Sequence, residues 1–502
     1  RALAQLKLGI SAPAPDDPEK RRELAEITTE LAGMYGAGKY CPDDGRECMD
    51  LGQLEDTMAK SRDYAENLDA WIGWRTISPP MRDKYRRFVE LANEGANELG
   101  YSDLGEMWRA EYDMSPVEFE AEALRLYEQV KPLYDELHCY ARDALAKHYG
   151  EDKVPPDGPI PAHLLGNMWA QTWDNIYDLL EPYPSVADVD VDKTLKQENY
   201  TPQQMVKSAE QFYVSLGFEQ LPETFWERSM FSKPADRDVI CHASAWGLDG
   251  GKDLRIKMCI KQTYEELRVI YHELGHNFYQ RAYREQPPLF QGGAHGGFHE
   301  AIGDTVTLSM TPEYLHKVRL VEETEDSYEA IINRQMQRAL AGIAVLPWAK
   351  LVDEWRWGVF AGEIAPENYN KAWWELRTRY QGVAAPVERT EADFDPGAKY
   401  HIPGNVSYTR YFLARILQFQ FQRALCEAAG YDGPLHACSV YNSKEAGAKL
   451  QAMLAAGSSL PWQDTLEKLT GTREMDASAI IDYFEPLMGW LKEQNKNRSC
   501  GW

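Results

Sequence analysis

The sequence predicts a mainly α-helical protein that carries one small antiparallel β element. Apolar residues recur at positions i, i+3, i+4 and i+7 along most long segments, which is typical of amphipathic helices. Strand-like runs are few, and the best two are VICHASAW (239–246) and LRIKMCI (254–260), which predict a hairpin around GLDGGKD. The cluster PPDGPIP (155–161) is typical of a turn between two helical regions. The predicted helices are 81–98, 116–149, 203–215, 263–285, 327–356, 366–380 and 409–429.

Composition and charge restrict the classes of function. The 502 residues are 44% hydrophobic and carry a formal net charge of −25, which argues against nucleic acid as a partner. We find no apolar run of the roughly 18 to 20 residues that a membrane span needs, so no span is predicted. The chain opens RALAQLKLGI, without an initiator Met or an apolar signal core. We therefore expect either that a leader has been removed or that the sequence is a fragment.

The spacing of the eight cysteines predicts disulfides and an oxidising compartment. Three close pairs lie in turn-rich contexts, and Cys139 and Cys500 are left over in this interpretation. The alternative is a set of reduced thiols in a cytosolic enzyme. N-glycosylation sequons begin at Asn199, Asn405 and Asn497. The three predicted pairs are Cys41 with Cys48, Cys241 with Cys259, and Cys426 with Cys438.

The stretch YHELGHNFYQ (271–280) contains HELGH, which fits the zinc-helix pattern H-E-x-x-H. His272 and His276 are four residues apart, so both side chains lie on one face of a helix and can bind one cation. Glu273 lies about 100° around the helix, where it reaches a water beside the metal rather than the metal itself. Such a motif arises by chance in roughly a few per cent of chains of this length. A surface helix with two unrelated histidines is therefore the weaker interpretation.

A third ligand is expected in GGAHGGFHEAIGDTVTLS (292–309), because a catalytic zinc takes three protein ligands and one open position. His295 has the spacing of a different zinc-peptidase class, but the residues between it and HELGH do not fit that class. Glu300 and Asp304 share a face of a predicted helix, so Glu300 can ligate while Asp304 accepts a hydrogen bond from a ligating histidine. The preferred ligands are His272, His276 and Glu300. His295 and His299 are interpreted as structural or loop residues.

The zinc motif and five further segments together resemble the angiotensin-converting enzyme family of zinc peptidyl-dipeptidases. The glutamate of GFHEAIGD follows the second motif histidine by 24 residues, as in the family, and the resemblance runs from about residue 35 to residue 492. It implies one peptidase domain, a helical ellipsoid of two subdomains flanking a deep cleft, with zinc and the β element near the cleft floor. It also implies the three disulfide pairs named above. The further segments, in the family's order, are LLGNMWAQTW (164–173), VICHASAW (239–246), WWELRTRYQG (373–382), DPGAKYHIPGNVSYTRYF (395–412) and PLHACSVYNSKEAG (434–447).

The resemblance implies a role for residues close to the scissile bond. Glu273 would take a proton from the attacking water and pass it to the leaving amine. Tyr411 matches the tyrosine that donates to the tetrahedral oxyanion. His401 and His242 resemble the histidines that hold the substrate backbone, and Ala243 offers main-chain contacts.

The resemblance also implies an exopeptidase that removes dipeptides from peptides with a free C-terminal carboxylate. Lys399, Tyr408 and Gln171 match the family's carboxylate clamp, a cation with two neutral donors. Gln171 favours dipeptide release, because the single-residue carboxypeptidases of the family carry an arginine there.

Members of the family are activated by chloride, and two sets of residues match their anion sites. A buried arginine without a carboxylate partner is costly, so an anion is a reasonable partner. The alternative is that these arginines form ordinary salt bridges. One set is Arg75, Trp373 and Arg377, and the other is Tyr112 and Arg410.

The chain departs from the family at two points. Val345 and Arg415 stand where the family has aromatic residues around the last substrate side chain, so that Arg415 would favour an acidic C-terminal residue. The family's N-terminal lid helices are expected to be largely absent. The resulting prediction is a secreted or periplasmic zinc peptidyl-dipeptidase. The alternatives are a single-residue carboxypeptidase, an inactive binding or receptor ectodomain with the same fold, and an endopeptidase of another zinc class.

Overall fold

The computed structural model describes residues 1–186, 189–237, 239, 241–323 and 326–502. The predicted mainly α-helical class is confirmed. Helices α1 to α11 are Ala2–Leu8, Pro18–Gly36, Leu51–Lys60, Tyr64–Arg75, Arg82–Glu98, Leu104–Ala110, Pro116–Tyr149, Tyr177–Leu180, Val191–Gln197, Pro202–Ser215 and Glu223–Arg228. Helices α12 to α22 are Tyr264–Ala282, Gly296–Leu308, Pro312–Lys317, Tyr328–Gly342, Val345–Phe360, Tyr369–Leu376, Thr409–Ala428, Lys444–Leu454, Trp462–Thr470, Ser478–Tyr483 and Glu485–Asn495.

The chain divides into two compact units, each with its own core. The first unit comprises residues 1–5, 185–331 and 413–485, and it contains α9 to α14 and α19 to α21. The second unit comprises residues 6–184, 332–412 and 486–502, and it contains α2 to α8, α16 and α17. Helices α1, α15, α18 and α22 each include residues of both.

Two small two-stranded sheets make up the β structure of the described residues. Strands β1 (Ile160–Pro161) and β4 (Val383–Ala384) pair in parallel. Strands β2 (Ser244–Leu248) and β3 (Asp253–Lys257) pair antiparallel, with Ser244 opposite Lys257. This hairpin was predicted, but β2 begins later and extends further into the turn than expected, and Ile240 of the predicted strand lies outside the described residues. The turn is short because Asp249, Gly250 and Gly251 all adopt positive φ.

Most predicted helices are present, with two differences in continuity. The segment 327–356 forms two helices, α15 and α16, which are separated at Ile343 and Ala344. The segment 366–380 begins with a 3₁₀ turn, continues as α17 and ends in a π-helical turn at Arg377–Gln381. The longest helix, α7, keeps its predicted bounds because Ser115 and Glu118 form a capping box at its start and Gly150 ends it with a φ of 96°.

All eight cysteines form disulfides, including the two that the sequence left unpaired. Cys139 in α7 bonds to Cys500, 361 residues later in the chain. Arg142, one turn further along α7, donates hydrogen bonds to the carbonyls of Ser499 and Gly501 and holds the same segment. The prediction that Cys139 and Cys500 stay single was therefore wrong. Spacing along the chain gives no indication of a pair formed by tertiary packing.

The sequons differ in accessibility. Asn405 is buried, and its amide donates to the Ser11 carbonyl over 3.1 Å, so the folded chain does not present it to solvent. Asn199 and Asn497 are exposed. None of the described helices combines the length and the apolar character that crossing a bilayer requires.

Candidate metal centre and substrate residues

Helix α12 carries the H-E-x-x-H motif in the first unit. Thr263 caps the helix by accepting from the backbone N–H of Glu266. The helix is anchored by its opposite side: Phe278 stacks on Tyr213 at 4.3 Å, and Tyr213 donates to the Tyr271 carbonyl over 2.8 Å. With that side fixed in the core, the other side of the helix presents the motif histidines, whose ring centroids lie 4.7 Å apart.

Two glycines allow α13 to pack directly on α12. A Cβ on Gly303 would lie 2.5 Å from the His272 carbonyl oxygen, and a Cβ on Gly275 would lie 2.7 Å from the Gly303 Cα. Real side chains do not tolerate such distances to backbone atoms, so the crossing requires glycine at both positions. This close approach brings Glu300 of α13 to the motif histidines.

The predicted ligand set lies together in space. Ligand atoms of His272, His276 and Glu300 all lie within 4.8 Å of one another, and Nε2 of His272 is 3.6 Å from Oε2 of Glu300. Two imidazoles and one carboxylate are the donors that a three-ligand zinc site uses. His295 takes no part in this cluster. Its ring Nδ1 accepts from the backbone N–H of Gly297 and caps the start of α13.

Each motif histidine has its outer ring nitrogen occupied, which directs the inner nitrogen to a cation. Nδ1 of His272 lies 2.9 Å from Oδ1 of Asp304, the relation that the sequence predicted. Nδ1 of His276 lies 2.9 Å from Nδ1 of His299, and the other nitrogen of His299 lies 3.4 Å from the Tyr283 hydroxyl. The sequence interpretation placed His299 among the structural residues and missed this contact. In the sequence, this contact is indicated only by the position of His299 directly before the ligand Glu300.

The charges around the histidines suit a cation. Burial lowers the pKa of His272, but its hydrogen bonds to Asp304 and Glu300 outweigh burial and raise that pKa to about 10. Burial lowers the pKa of His276 to about 4, so this imidazole stays neutral and keeps a lone pair for a metal. Burial opposes ionisation of Glu300, yet its hydrogen bond to His272 keeps the pKa of this carboxyl below the usual range.

Glu273 and His242 are the other predicted site residues of the first unit. Glu273 is 7% exposed, and burial raises its pKa above the usual range of a carboxyl. His242 is exposed at the start of the hairpin, and its Nδ1 lies 2.8 Å from the Ala243 carbonyl oxygen. The hairpin is tied down at this end by the Cys241–Cys259 disulfide.

The three predicted clamp residues lie together in the second unit. Nζ of Lys399 donates to Oε1 of Gln171 over 2.7 Å, and the Tyr408 hydroxyl donates to the same oxygen over 3.4 Å. The Lys399 ammonium also lies 3.9 Å from the centroid of the Trp169 ring. Burial lowers the pKa of Lys399 to about 7, against the opposing charge of Glu55. A carboxylate brought to this ammonium would restore its full charge.

The segment that carries His401, Tyr408 and Tyr411 is held by two charged residues that the sequence interpretation missed. Asp353 accepts from the backbone N–H groups of Tyr408 and Thr409 over 2.7 and 2.6 Å. Arg356 pairs with Asp353 and donates to the His401 carbonyl over 2.8 Å. The His401 ring lies 4.6 Å from Tyr408 and 5.7 Å from Tyr411, and burial lowers the pKa of His401 to about 3.

The first predicted anion set, Arg75, Trp373 and Arg377, is buried in the second unit. Both guanidiniums donate to backbone carbonyls, Arg75 to Trp71 and Met168 and Arg377 to Trp169. Within the described part of the chain, the Nε atoms of both arginines have no hydrogen-bond partner. Asp395 lies 3.8 Å from Arg75, but it pairs more closely with Arg389 at 2.6 Å.

The second predicted anion set consists of Tyr112 and Arg410. Tyr112 is buried and stacks on Phe119 at 4.1 Å. Arg410 donates to the Ser407 hydroxyl over 3.1 Å, and no described residue accepts from its Nε. Burial raises the pKa of the Tyr112 hydroxyl, while Arg410 acts in the opposite direction.

Two residues were expected to shape specificity. Val345 is the first residue of α16 and is half-buried. Arg415, which was expected to offer its charge to a substrate, pairs within its own unit: Nη1 lies 2.9 Å from Oδ2 of Asp304 and 3.1 Å from Oε1 of Gln418.

The fold is mainly α-helical, and the helix after the His-Glu-x-x-His helix supplies a carboxylate as the third ligand. These features define a protein with a zinc-peptidase type of metal centre. Comparison with known proteins identifies the family. The family model described as angiotensin-converting enzyme matches residues 1–502, and the chain belongs to that family.

Curated relatives cover nearly all of this chain. An angiotensin-converting enzyme of Sus scrofa is 46% identical over 486 residues, which are 96% of this chain and 37% of that protein. The corresponding enzyme of Bos taurus is 45% identical over the same shares of both chains. One from Theromyzon tessulatum is 44% identical over 501 residues, 99% of this chain and 80% of that protein. The chain thus spans 37% of the length of the first two relatives.

Proposed function

We propose that residues 1–502 act as one zinc peptidyl-dipeptidase domain that releases dipeptides from the free C-terminus of oligopeptides. The observation that carries this proposal is the convergence of His272, His276 and Glu300 beside the buried Glu273. Zinc held by the three ligands supplies Lewis-acid polarisation of the scissile carbonyl and activation of water. The named relatives and the family match support the same activity.

The protein side chains perform the proton transfers and bind the peptide. Glu273 takes the proton of the attacking water and returns it to the leaving amine, and its raised pKa suits a group that must do both. Tyr411 donates to the oxyanion of the tetrahedral intermediate. His401, His242 and the backbone of Ala243 hold the substrate main chain.

The clamp of Lys399, Tyr408 and Gln171 gives the exopeptidase its requirement for a terminal carboxylate. A buried lysine whose pKa falls to about 7 gains strongly from a negatively charged partner, because little water competes for it. Gln171 adds a neutral group where an arginine would bind the carboxylate closer to the scissile bond. The proposed product is therefore a dipeptide rather than a single amino acid.

The test compares two peptides of identical sequence, one with a free C-terminal acid and one with a C-terminal amide. Mass spectrometry of the products is expected to show sequential loss of dipeptides from the free acid and little loss from the amide. A Glu273→Gln protein prepared in parallel controls for contaminating proteases. Loss of single residues would indicate the carboxypeptidase alternative, equal cleavage of both peptides an endopeptidase, and no cleavage an inactive ectodomain.

Chloride is proposed as an activating anion. The buried Arg75 and Arg377 repel each other, and burial lowers the pKa of Arg377 to about 9, so a bound anion would relieve the cost of both charges. Arg410 offers a second site of the same kind.

Arg410→Gln is expected to raise the chloride concentration for half-maximal activity about tenfold, since coupling between sites is typically of that size. The measurement is the initial rate at increasing chloride with ionic strength held constant. Arg125→Gln, an exposed substitution that changes the net charge equally, is the control. An unchanged chloride response of Arg410→Gln would remove this assignment.

The protein is proposed to be extracellular, or periplasmic if bacterial. Four disulfides support an oxidising environment. Asn199 and Asn497 are the sequons proposed to carry glycans, because both are exposed.

A further inference from the structure

Arg415 contacts the metal centre through an intermediate carboxylate. Asp304 is shared between two partners: its Oδ1 lies 2.9 Å from Nδ1 of His272, and its Oδ2 lies 2.9 Å from Nη1 of Arg415. The carboxylate therefore links the guanidinium to a predicted zinc ligand. Each oxygen has its own partner, so the pairing with Arg415 does not compete with the bond to the histidine.

Packing fixes the helix that carries Arg415 along α13. The Cβ of Leu413 lies 3.1 Å from where a Cβ on Gly297 would be, and the Thr305 hydroxyl is 3.3 Å from the Gln418 carbonyl oxygen. The Arg415 guanidinium also donates to the Gln418 side chain one turn further along, over 3.1 Å. Arg415 is thus directed at Asp304 by the helix itself and by Gln418.

The solvent exposure of the Arg415–Asp304 ion pair indicates that it contributes little to folding stability. The side chains of Arg415 and Asp304 are 36% and 21% exposed. Ion pairs with such access to water add little to folding stability. Arg268 is a second arginine whose charge acts on Asp304, but its guanidinium donates to Glu265 over 3.2 Å. Arg415, by contrast, contacts the Asp304 carboxylate directly.

We propose that Arg415 is a positioning residue that holds Asp304 in the orientation in which His272 presents its inner nitrogen to the metal. This inference rests on the proposed zinc site. Without Arg415, the Asp304 side chain can rotate away from His272, and the histidine loses the partner that fixes its ring. Outer partners of this kind typically contribute 10- to 100-fold to metal affinity.

The test is the zinc dissociation constant, measured by competition with a chelator of known affinity at constant pH and in the absence of peptide. Arg415→Met is expected to weaken zinc binding about 10-fold, and Asp304→Asn about 100-fold. The double variant is expected to bind zinc no more weakly than Asp304→Asn alone, since Arg415 acts only through that carboxylate. Arg415→Lys, which can still pair with Asp304, is expected to fall between the wild type and Arg415→Met.

Arg423→Met is the matched control. Arg423 lies on the same helix and pairs with Asp476 and Asp482 away from the metal residues, with 28% of its side chain exposed. It is expected to bind zinc like the wild type. Folding of Arg415→Met is checked by thermal unfolding of the metal-free protein. If this variant does not fold, the zinc affinities of Arg415→Lys and of its double variant with Asp304→Asn are compared instead.

Two results would overturn the inference. The first is an Arg415→Met protein that binds zinc as tightly as the wild type or more tightly. The second is a double variant in which the losses of zinc affinity of the two single variants multiply. Failure of the wild type to bind zinc would instead contradict the proposed function. Because no peptide is present, the result is independent of whether the product is a dipeptide.

Discussion

Replacing Glu273 by Gln is expected to lower kcat by about 10²- to 10⁴-fold, the range that general acid–base catalysis contributes. Glutamine has nearly the same shape but cannot accept a proton at this position. Glu273 follows His272 directly in α12, so its side chain lies about 100° around the helix from that ligand, and Glu273 is not one of the three predicted ligands. Zinc should therefore stay bound in the variant, with an affinity close to that of the wild type.

The measurement pairs steady-state kinetics with metal analysis of the same preparation. Glu265→Gln is the matched control, because Glu265 lies on the same helix, carries the same charge and is 75% exposed. It is expected to turn over like the wild type. A Glu273→Gln protein with near-normal kcat would exclude Glu273 as the base, and loss of zinc would show that the residue supports the metal instead.

Local patterns in the sequence predicted the fold class, and their limits explain the errors. The period of 3.6 residues needs several turns to become visible, so α7 and α10 were found while the short α9 and α11 were not. Helix α2 was also missed, although Asp17 and Pro18 form a recognisable N-terminal signal and the helix buries every third or fourth residue. The break between α15 and α16 follows Gly342, a weaker signal than a proline.

The metal ligands could be predicted because their geometry is local. His272 and His276 are fixed by helical spacing, and the four-residue separation of Glu300 and Asp304 assigned one to the metal and the other to a histidine. The contact of His299 with His276 depends on how α12 crosses α13, which no single helix encodes.

Long-range pairs could not be predicted from the sequence, because they depend on how separate elements pack against each other. The disulfide between Cys139 and Cys500 and the ion pair between Arg415 and Asp304 join residues far apart in the chain. The carboxylate clamp was predicted only by resemblance. Gln171, Lys399 and Tyr408 come from separate segments, and no period connects them.

The crossing of α12 and α13 leads to the second large prediction: Gly303→Ala is expected to weaken zinc binding about 10- to 100-fold, as loss of a correctly placed partner does. The added Cβ would lie 2.5 Å from the His272 carbonyl oxygen and 2.7 Å from its Cα, both backbone atoms that cannot rotate away. The helices must therefore separate. Because two ligands are on α12 and the third is on α13, separation moves Glu300 away from the histidines.

The same overpacking should destabilise the metal-free protein by about 1–3 kcal/mol. Both quantities can be measured on one preparation, zinc affinity by chelator competition and stability by denaturant unfolding without metal. Gly489→Ala in α22 is the matched control, because a Cβ there meets no atom within 4 Å and alanine favours a helix. It should leave zinc affinity unchanged and stability equal or slightly higher. If Gly303→Ala behaved like Gly489→Ala, the close helix crossing would not be what assembles the metal ligands. Loss of stability with normal zinc affinity would mean that the ligands tolerate the separation of the helices.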